Sequence, residues 1–152
     1  MSVESVRRFF QDKGLVRDII EFGESTATVQ LAANALGVEP ELIAKTMALK
    51  LKDRNILLVT KGDAKIDNKK YKDYFKTKAK MLNAEEVSAV TGHPVGGVCP
   101  FGLNEQIDIY LDLSLKQFEY VYPAAGSKNS AVKMSLKQLE ELTDGTWVDV
   151  CK

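Results

Sequence analysis

The sequence predicts an α+β fold with a mixed or antiparallel sheet, in a single domain spanning residues 1–152. Stretches with helical spacing of apolar residues alternate with strand-like runs but keep no strict strand–helix–strand rhythm, which argues against a doubly wound parallel sheet. Several strand-like runs are joined by links of hairpin length, which favours antiparallel neighbours. The 152 residues, 45% of them apolar, suit one compact domain with a real core, and neither a repeat nor an interdomain linker interrupts them.

The elements follow in chain order. Ser2 stands where a cap would precede a helix whose apolar positions Val3, Val6, Phe9 and Phe10 fall at helical spacing, with Gly14 as its stop. A short strand is expected from Val16 to Phe22. The cluster Ser25-Thr26-Ala27-Thr28 caps a helix from Val29 that ends at Gly37, and Pro40 suits the first turn of another short helix. Runs Ala44 to Leu51 and Asn55 to Thr60 flank the polar turn Lys52-Asp53-Arg54 and read as a β-hairpin near the middle of the sheet, with Lys45, Met47 and Leu49 on one face. Asp67 caps a lysine-rich helix reaching about Phe75. Asn83 with Glu86 forms a capping box for Ala84 to Val90, stopped by Gly92. Ile107 to Asp112 and Tyr120 to Tyr122 are strands, Ser135 to Leu142 is a last helix with Gln138 completing its box, and Trp147 to Val150 closes the sheet.

Charge and cysteine content narrow the function. Lysine plus arginine (21) balances aspartate plus glutamate (21), so no general attraction to nucleic acid or acidic membranes is expected. Locally, residues 61–80 hold eight lysines and three aspartates. Lys65, Lys69, Lys70 and Lys72 in that stretch either touch phosphates or line a solvated helix face. Cys99 and Cys151 lack metal-ligand spacing and make no disulfide framework, so no metal is expected and a reducing cytoplasm is the natural setting. The first residues lack the apolar core of a signal peptide, and no run reaches the ~20 apolar residues of a membrane span, so a soluble, unprocessed protein without a membrane partner is expected.

Three elements carry candidate chemistry. Gly92-His93-Pro94-Val95-Gly96-Gly97-Val98-Cys99-Pro100-Phe101-Gly102 places four glycines and two prolines in eleven residues. Such a loop either lets converging backbone N–H groups hold an anion or makes a tight structural crossover. It matches neither a Walker loop nor a dinucleotide fingerprint, since no helix follows the glycines. The segment Pro123-Ala124-Ala125-Gly126-Ser127-Lys128-Asn129-Ser130 is either a second small-residue wall or a plain turn. Lys45, at the start of an apolar strand, either reaches a cleft or snorkels to solvent. Cys99 with His93 as a thiol nucleophile and base lacks any third orienting group, so Cys99 reads as buried and inert and His93 as a shaper of the loop.

Together these elements resemble the YbaK/prolyl-tRNA-synthetase-associated domain, a family of aminoacyl-tRNA deacylases found as inserted editing domains and as small separate proteins. The resemblance covers essentially the whole chain. It is carried by Ile43-Ala44-Lys45-Thr46, by Gly92-His93-Pro94-Val95-Gly96-Gly97-Val98-Cys99-Pro100 as a GxxxGGxxP-like loop, and by Ala125-Gly126-Ser127-Lys128-Asn129. It implies a mostly antiparallel mixed sheet, partly closed like a barrel and surrounded by helices, with a pocket between the lysine strand and the two loops.

It also implies roles. Lys45 corresponds to the functional lysine, the backbone at Gly96, Gly97 and Val98 to the loop that holds the scissile carbonyl and terminal adenosine, and Gly126 and Ser127 to the opposite wall. Substrate selectivity would depend on packing among Thr26, Thr28, Thr46, Met47, Pro100 and Phe101. The implied activity is trans-editing hydrolysis, without a cofactor, of a small wrong amino acid from a proline-type tRNA. Its partners would be the aminoacyl-tRNA acceptor end and a prolyl-tRNA synthetase or elongation factor that delivers it. A binding module that senses an amino acid or aminoacyl-tRNA without hydrolysis is the alternative from another class.

Overall fold

Helix α1 (Ser2–Asp12) begins at Ser2 itself and buries Val6 and Phe10, two residues of its apolar stripe, against Phe101 and the core. The protein's structure, a computed structural model, describes residues 2–15 and 19–152. The strand expected over Val16–Phe22 is seen as β1 (Ile20–Glu21), and residues 16–18 of that expectation lie outside the described residues. Helix α2 (Val29–Leu36) starts where Thr28 accepts a hydrogen bond from the Leu31 amide and ends at the left-handed Gly37. A single turn of 3-10 helix, Pro40–Leu42, leads directly into β2 (Ile43–Lys50).

Strand β3 (Asn55–Lys61) returns antiparallel to β2, from Ala44 opposite Lys61 to Lys50 opposite Asn55. Helix α3 (Asn68–Phe75) is capped by Asp67, and α4 (Ala84–Thr91) carries the Asn83/Glu86 capping box and ends at Gly92. Strands β4 (Asp108–Asp112) and β5 (Tyr120–Pro123) are separated by a 3-10 turn, Leu113–Gln117. The two-residue strands β6 (Ser130–Ala131) and β7 (Met134–Ser135) were not legible as alternating runs; helix α5 (Leu136–Thr143), with its Ser135/Gln138 box, and β8 (Thr146–Val148) complete the fold.

The central sheet has the order β7-β5-β2-β3-β4-β8 and curls into a half-barrel. The mixed α+β architecture agrees with the expectation, but the balance of pairings differs within this sheet. Pairs β2/β5, β3/β4 and β4/β8 are parallel, whereas β2/β3 and β5/β7 are antiparallel. The antiparallel majority returns only when β1/β6 and the isolated bridges are counted with it. Parallel neighbours need a long crossover, and residues 62–107, with α3 and α4, supply one between β3 and β4.

Helices cover both faces of the sheet. On one side Ala44, Val59, Leu111, Val121 and Met134 pack with α1 and with Leu139 of α5. On the other, Leu49, Ile56, Leu58, Val148 and Val150 surround Tyr71 of α3, and Met47 packs against this cluster. Helix α4 places Val87 on Ala48 and Leu57, while α2 sets Ala32 and Ala33 against Ile43. No helix among the described residues is long and apolar enough to cross a membrane.

Candidate functional site

Strand β2 is paired along its length with β3 on one edge and shared between two partners on the other. Ile43 and Ala44 pair with Tyr122 and Pro123 of β5, Leu49 bridges Met81, and backbone bonds join Lys50 N to Lys80 O and Leu82 N to Ala48 O. Between these attachments residues 45–47 have no strand partner on that edge among the described residues. A cavity of about 210 Å³ lies at this stretch, with Ala44, Lys45, Thr46 and Ala48 in its wall.

Three other segments enclose it. Thr26 to Val29 and Ala32 come from the start of α2, Val95, Gly96 and Val98 from the glycine loop, and Ala124, Ser130 and Ala131 from the segment after β5. Leu82, Val87 and Tyr122 also contribute, so most of the lining is aliphatic, and Met81 and Val95 stand exposed. Such a site holds a small, largely apolar group and offers few polar anchors.

Lys45 borders the cavity, while the groups next to its ammonium, Ala64, Asp63, Lys65 and Cys151, lie outside the cavity lining. Its half-buried side chain donates from Nζ to the Ala64 carbonyl oxygen at 2.8 Å. Burial holds its pKa below the ordinary lysine value; nearby Cys151 and Asp63 oppose that shift and Lys65 adds to it. An ammonium has three donors, so two remain after the bond to Ala64. Thr46 lines the cavity too, and its buried Oγ1 has no hydrogen-bond partner among the described residues.

The glycine loop is held from within and from outside. Gly97 N donates to Pro94 O at 2.9 Å, and Gly97 O accepts from Gly126 N at 3.1 Å, which ties the two loops together. A Cβ on Gly97 would lie 2.7 Å from the N, Cα and C of Ser127, and one on Gly96, at φ +92°, would lie 2.8 Å from Ala27 Cβ. The glycines therefore permit close approach of loop to loop. Because the Gly97 amide is spent on Pro94, the free donors in this part of the wall are the amides of Gly96 and Val98, for which no partner exists among the described residues.

Buried His93 and Cys99 brace the same loop. His93 Nε2 lies 2.7 Å from the Phe101 carbonyl oxygen, and Cys99 Sγ lies 3.7 Å from the same oxygen and 3.6 Å from Nε2. The carbonyl accepts, so Nε2 carries the proton, and buried Nδ1 has no partner among the described residues. Burial lowers the His93 pKa against the opposing effect of that hydrogen bond, and pushes the Cys99 thiol up to about 12. A neutral thiol beside a neutral imidazole is a poor nucleophile, which agrees with the structural reading of both residues.

Not every residue expected at the site lines it. Lys45, Gly96, Val98, Thr26, Thr28 and Thr46 do. Gly97, Gly126 and Ser127 instead form the contact between loops, with Ser127 Oγ bonded to Ser130 Oγ at 2.8 Å. Met47 lies on the opposite side of β2 from Thr46 and packs in the cluster around Tyr71. Phe101 is fully buried with its ring 5.8 Å from Phe9 and 5.3 Å from Phe10, and Pro100 borders a groove beside α1. Alternation along the strand could have separated Met47 from Thr46, and the small-residue segment after β5 does contribute Ala124 and Ser130, whereas nothing in the sequence placed Ala131 or Val87 in the wall. Among the described residues no cluster of His, Cys, Asp and Glu could hold a metal ion.

The lysine-rich stretch is partly neutralised. Lys69 pairs with Asp73 at 2.9 Å and Lys70 with Asp149 at 3.0 Å, while Lys65 and Lys72 have no ion pair among the described residues.

Comparison with known proteins gives a consistent result. Residues 23–142 match the family described as aminoacyl-tRNA editing domain. The uncharacterised Bacillus subtilis protein YwhH is 48% identical over 154 aligned positions, covering 100% of this chain and 98% of YwhH. EbsC of Enterococcus faecalis, proposed as a Cys-tRNA(Pro)/Cys-tRNA(Cys) deacylase, is 26% identical over 85% of this chain and 80% of its own. A proline–tRNA ligase of Bacillus licheniformis is 33% identical over 60% of this chain, which corresponds to 16% of that ligase. A crystal structure of a protein proposed as a trans-editing enzyme for prolyl tRNA synthetase superposes with a TM-score of 0.91 at 27% identity, covering 99% of this chain and 97% of that one.

The loop contact and the buried thiols each yield an expected result. Gly97→Ala should lower unfolding free energy by about 1–3 kcal/mol in urea titrations, because backbone surrounds the added methyl; an unchanged midpoint would contradict the close approach. Near neutral pH, iodoacetamide should leave the folded protein unmodified by mass spectrometry, since Cys99 and Cys151 are both buried with pKa values pushed up to about 12. Denaturant should then release both for alkylation, whereas a rapid adduct on the folded protein would contradict their burial.

Proposed function

This chain belongs to the aminoacyl-tRNA editing domain family, and on that basis we propose that it hydrolyses mischarged aminoacyl-tRNA in trans, removing a small wrong amino acid from a proline-type tRNA. The reading is supported by one small apolar cavity bordered by Lys45, by Gly96 and Val98, whose amides have no partner among the described residues, and by the open edge of β2. The proline-type tRNA is supported by the kinship with EbsC and with proline–tRNA ligases.

The substrate bond is the ester between an amino acid and the terminal ribose, already activated relative to an amide. In the proposed reaction a water oxygen attacks the ester carbonyl carbon and the carbonyl oxygen gains negative charge. The C–O bond to ribose then breaks; the ribose oxygen leaves with a proton that originates from the water, and the free amino acid and the uncharged tRNA separate. The amides of Gly96 and Val98 are the candidate donors to the oxyanion, a contribution of about 2.7–4 kcal/mol for one well-placed donor. The two remaining protons of Lys45 are available to the substrate carbonyl or to the adjacent phosphate.

The cavity sets the size limit. With Ala27, Ala32, Ala44, Ala48, Ala124 and Ala131 in its wall, it takes a small side chain next to the anchoring groups. Prolyl-tRNA synthetase or an elongation factor is the proposed source of the charged tRNA.

The wild-type protein should release labelled amino acid from at least one proline tRNA mischarged with alanine, serine, cysteine or 2-aminobutyrate, and Lys45→Ala should lower kcat/KM at least ~100-fold, about the loss of one strong electrostatic contact. No release from any of them, with acceptor-end binding intact, would replace the hydrolase by a binding module. The lysine should also limit activity at high pH. Its depressed pKa means that the ammonium loses its proton earlier as pH rises, so kcat/KM, corrected for spontaneous ester hydrolysis, should fall below the ordinary lysine range. A rate flat through that range would show that the charge on Lys45 is not used.

A further inference from the structure

We infer that Lys72, Lys76, Lys78 and Lys80 form an electrostatic track for the phosphates of the RNA strand whose aminoacylated end enters the cavity. This rests on the hydrolase reading and adds the surface that would guide its substrate.

Of the eight lysines between residues 61 and 80, three are paired: Lys61 with Asp63 at 3.5 Å, Lys69 with Asp73 at 2.9 Å and Lys70 with Asp149 at 3.0 Å. Lys65 has no ion pair among the described residues and acts electrostatically on Lys45. Lys72, Lys76, Lys78 and Lys80 are exposed, and none has an ion pair among the described residues. Lys72 and Lys76 interact electrostatically with Asp73 and Lys80 with Glu86 without forming ion pairs, so this segment carries incompletely neutralised positive charge in a chain whose formal net charge is zero. Such a patch attracts a polyanion locally without general affinity for nucleic acid.

Its position gives the direction. Lys72 and Lys78 border a surface depression of about 440 Å³ with Asn68, Lys69 and Ala79. From Lys78 the chain runs to Lys80, whose carbonyl bonds Lys50 N at 2.8 Å, and to Met81 and Leu82, which line the cavity. Met81 follows Lys78 by three positions, a span of at most about 11 Å. Met81, 56% exposed at the cavity, offers an apolar surface to the last base where the phosphate track ends.

The test compares two substrates carrying the same amino acid: full-length charged tRNA, and a 3′-aminoacyl adenosine that has no phosphate. A variant with all four lysines changed to glutamine should lose 10-fold or more in kcat/KM on tRNA, mainly through KM, with the loss confined to the phosphate-bearing substrate. The slope of log kcat/KM against log salt should become shallower by about 3, at ~0.7 per phosphate contact for a single strand. A tRNA value within two-fold of wild type, an unchanged salt slope, or an equal loss on both substrates would overturn the track. If the wild type cleaves neither substrate, the hydrolase reading fails separately. Fluorescence anisotropy with a labelled acceptor-end oligonucleotide then decides: weaker binding by the variant supports the track, and equal binding overturns it.

Discussion

Strand β2 cannot satisfy both edges along its whole length, because β5 leaves it after Ala44 and the segment at Lys80–Leu82 joins it only at Ala48–Lys50. The gap between them opens β2 beside a cavity whose rim includes the exposed Met81 and Val95. An open edge within a folded domain is normally covered, since unpaired backbone groups away from water are costly. Here the edge borders a cavity large enough for a small ligand, and the groups most concerned, Lys45 and Thr46, both line it. Other features of the site follow from keeping that gap open while closing everything around it.

The closure is made by backbone approaching backbone. The loop at Gly96 and Gly97 reaches Ala27 and Ser127 at distances that a side chain would block, and the second loop grips the first residues leading to α2 through the bond from Thr26 N to Lys128 O. His93 and Cys99 converge on one carbonyl and fix the far end of the glycine loop. In the proposed reaction, loops braced in this way would hold their amides in place before a ligand arrives, which is the basis of electrostatic preorganisation. The long, partly buried Lys45 side chain is restrained in the same way by the Ala64 carbonyl.

Much of this was legible from local chemistry. Capping residues at Thr28, Asp67, Asn83 and Ser135 located four helix starts, and the polar turn at Lys52–Arg54 located the central hairpin. Three parallel pairings were harder to see, because no local signal links β3 to β4 across 46 intervening residues. At the site, Lys45 and the glycine loop stood out by residue type. Apart from Ala124 in the small-residue segment after β5, the alanines that complete the wall did not, since an alanine in a cavity and an alanine in a core look alike in sequence. Gly97, Gly126 and Phe101 mark the reverse case: conspicuous residues that shape the cavity from behind without lining it.

The most direct test of the proposed site is the structure of the protein bound to a 3′-aminoacylamino adenosine, whose amide replaces the labile ester. The carbonyl oxygen should lie within hydrogen-bond distance of the Gly96 or Val98 amide, the amino-acid side chain should enter the cavity beside Thr46 and Ala48, and the ribose should face Met81. An analogue bound outside this cavity, or bound inside it with its carbonyl turned away from both amides and from Lys45, would contradict the assignment of the open β2 edge as the reaction site.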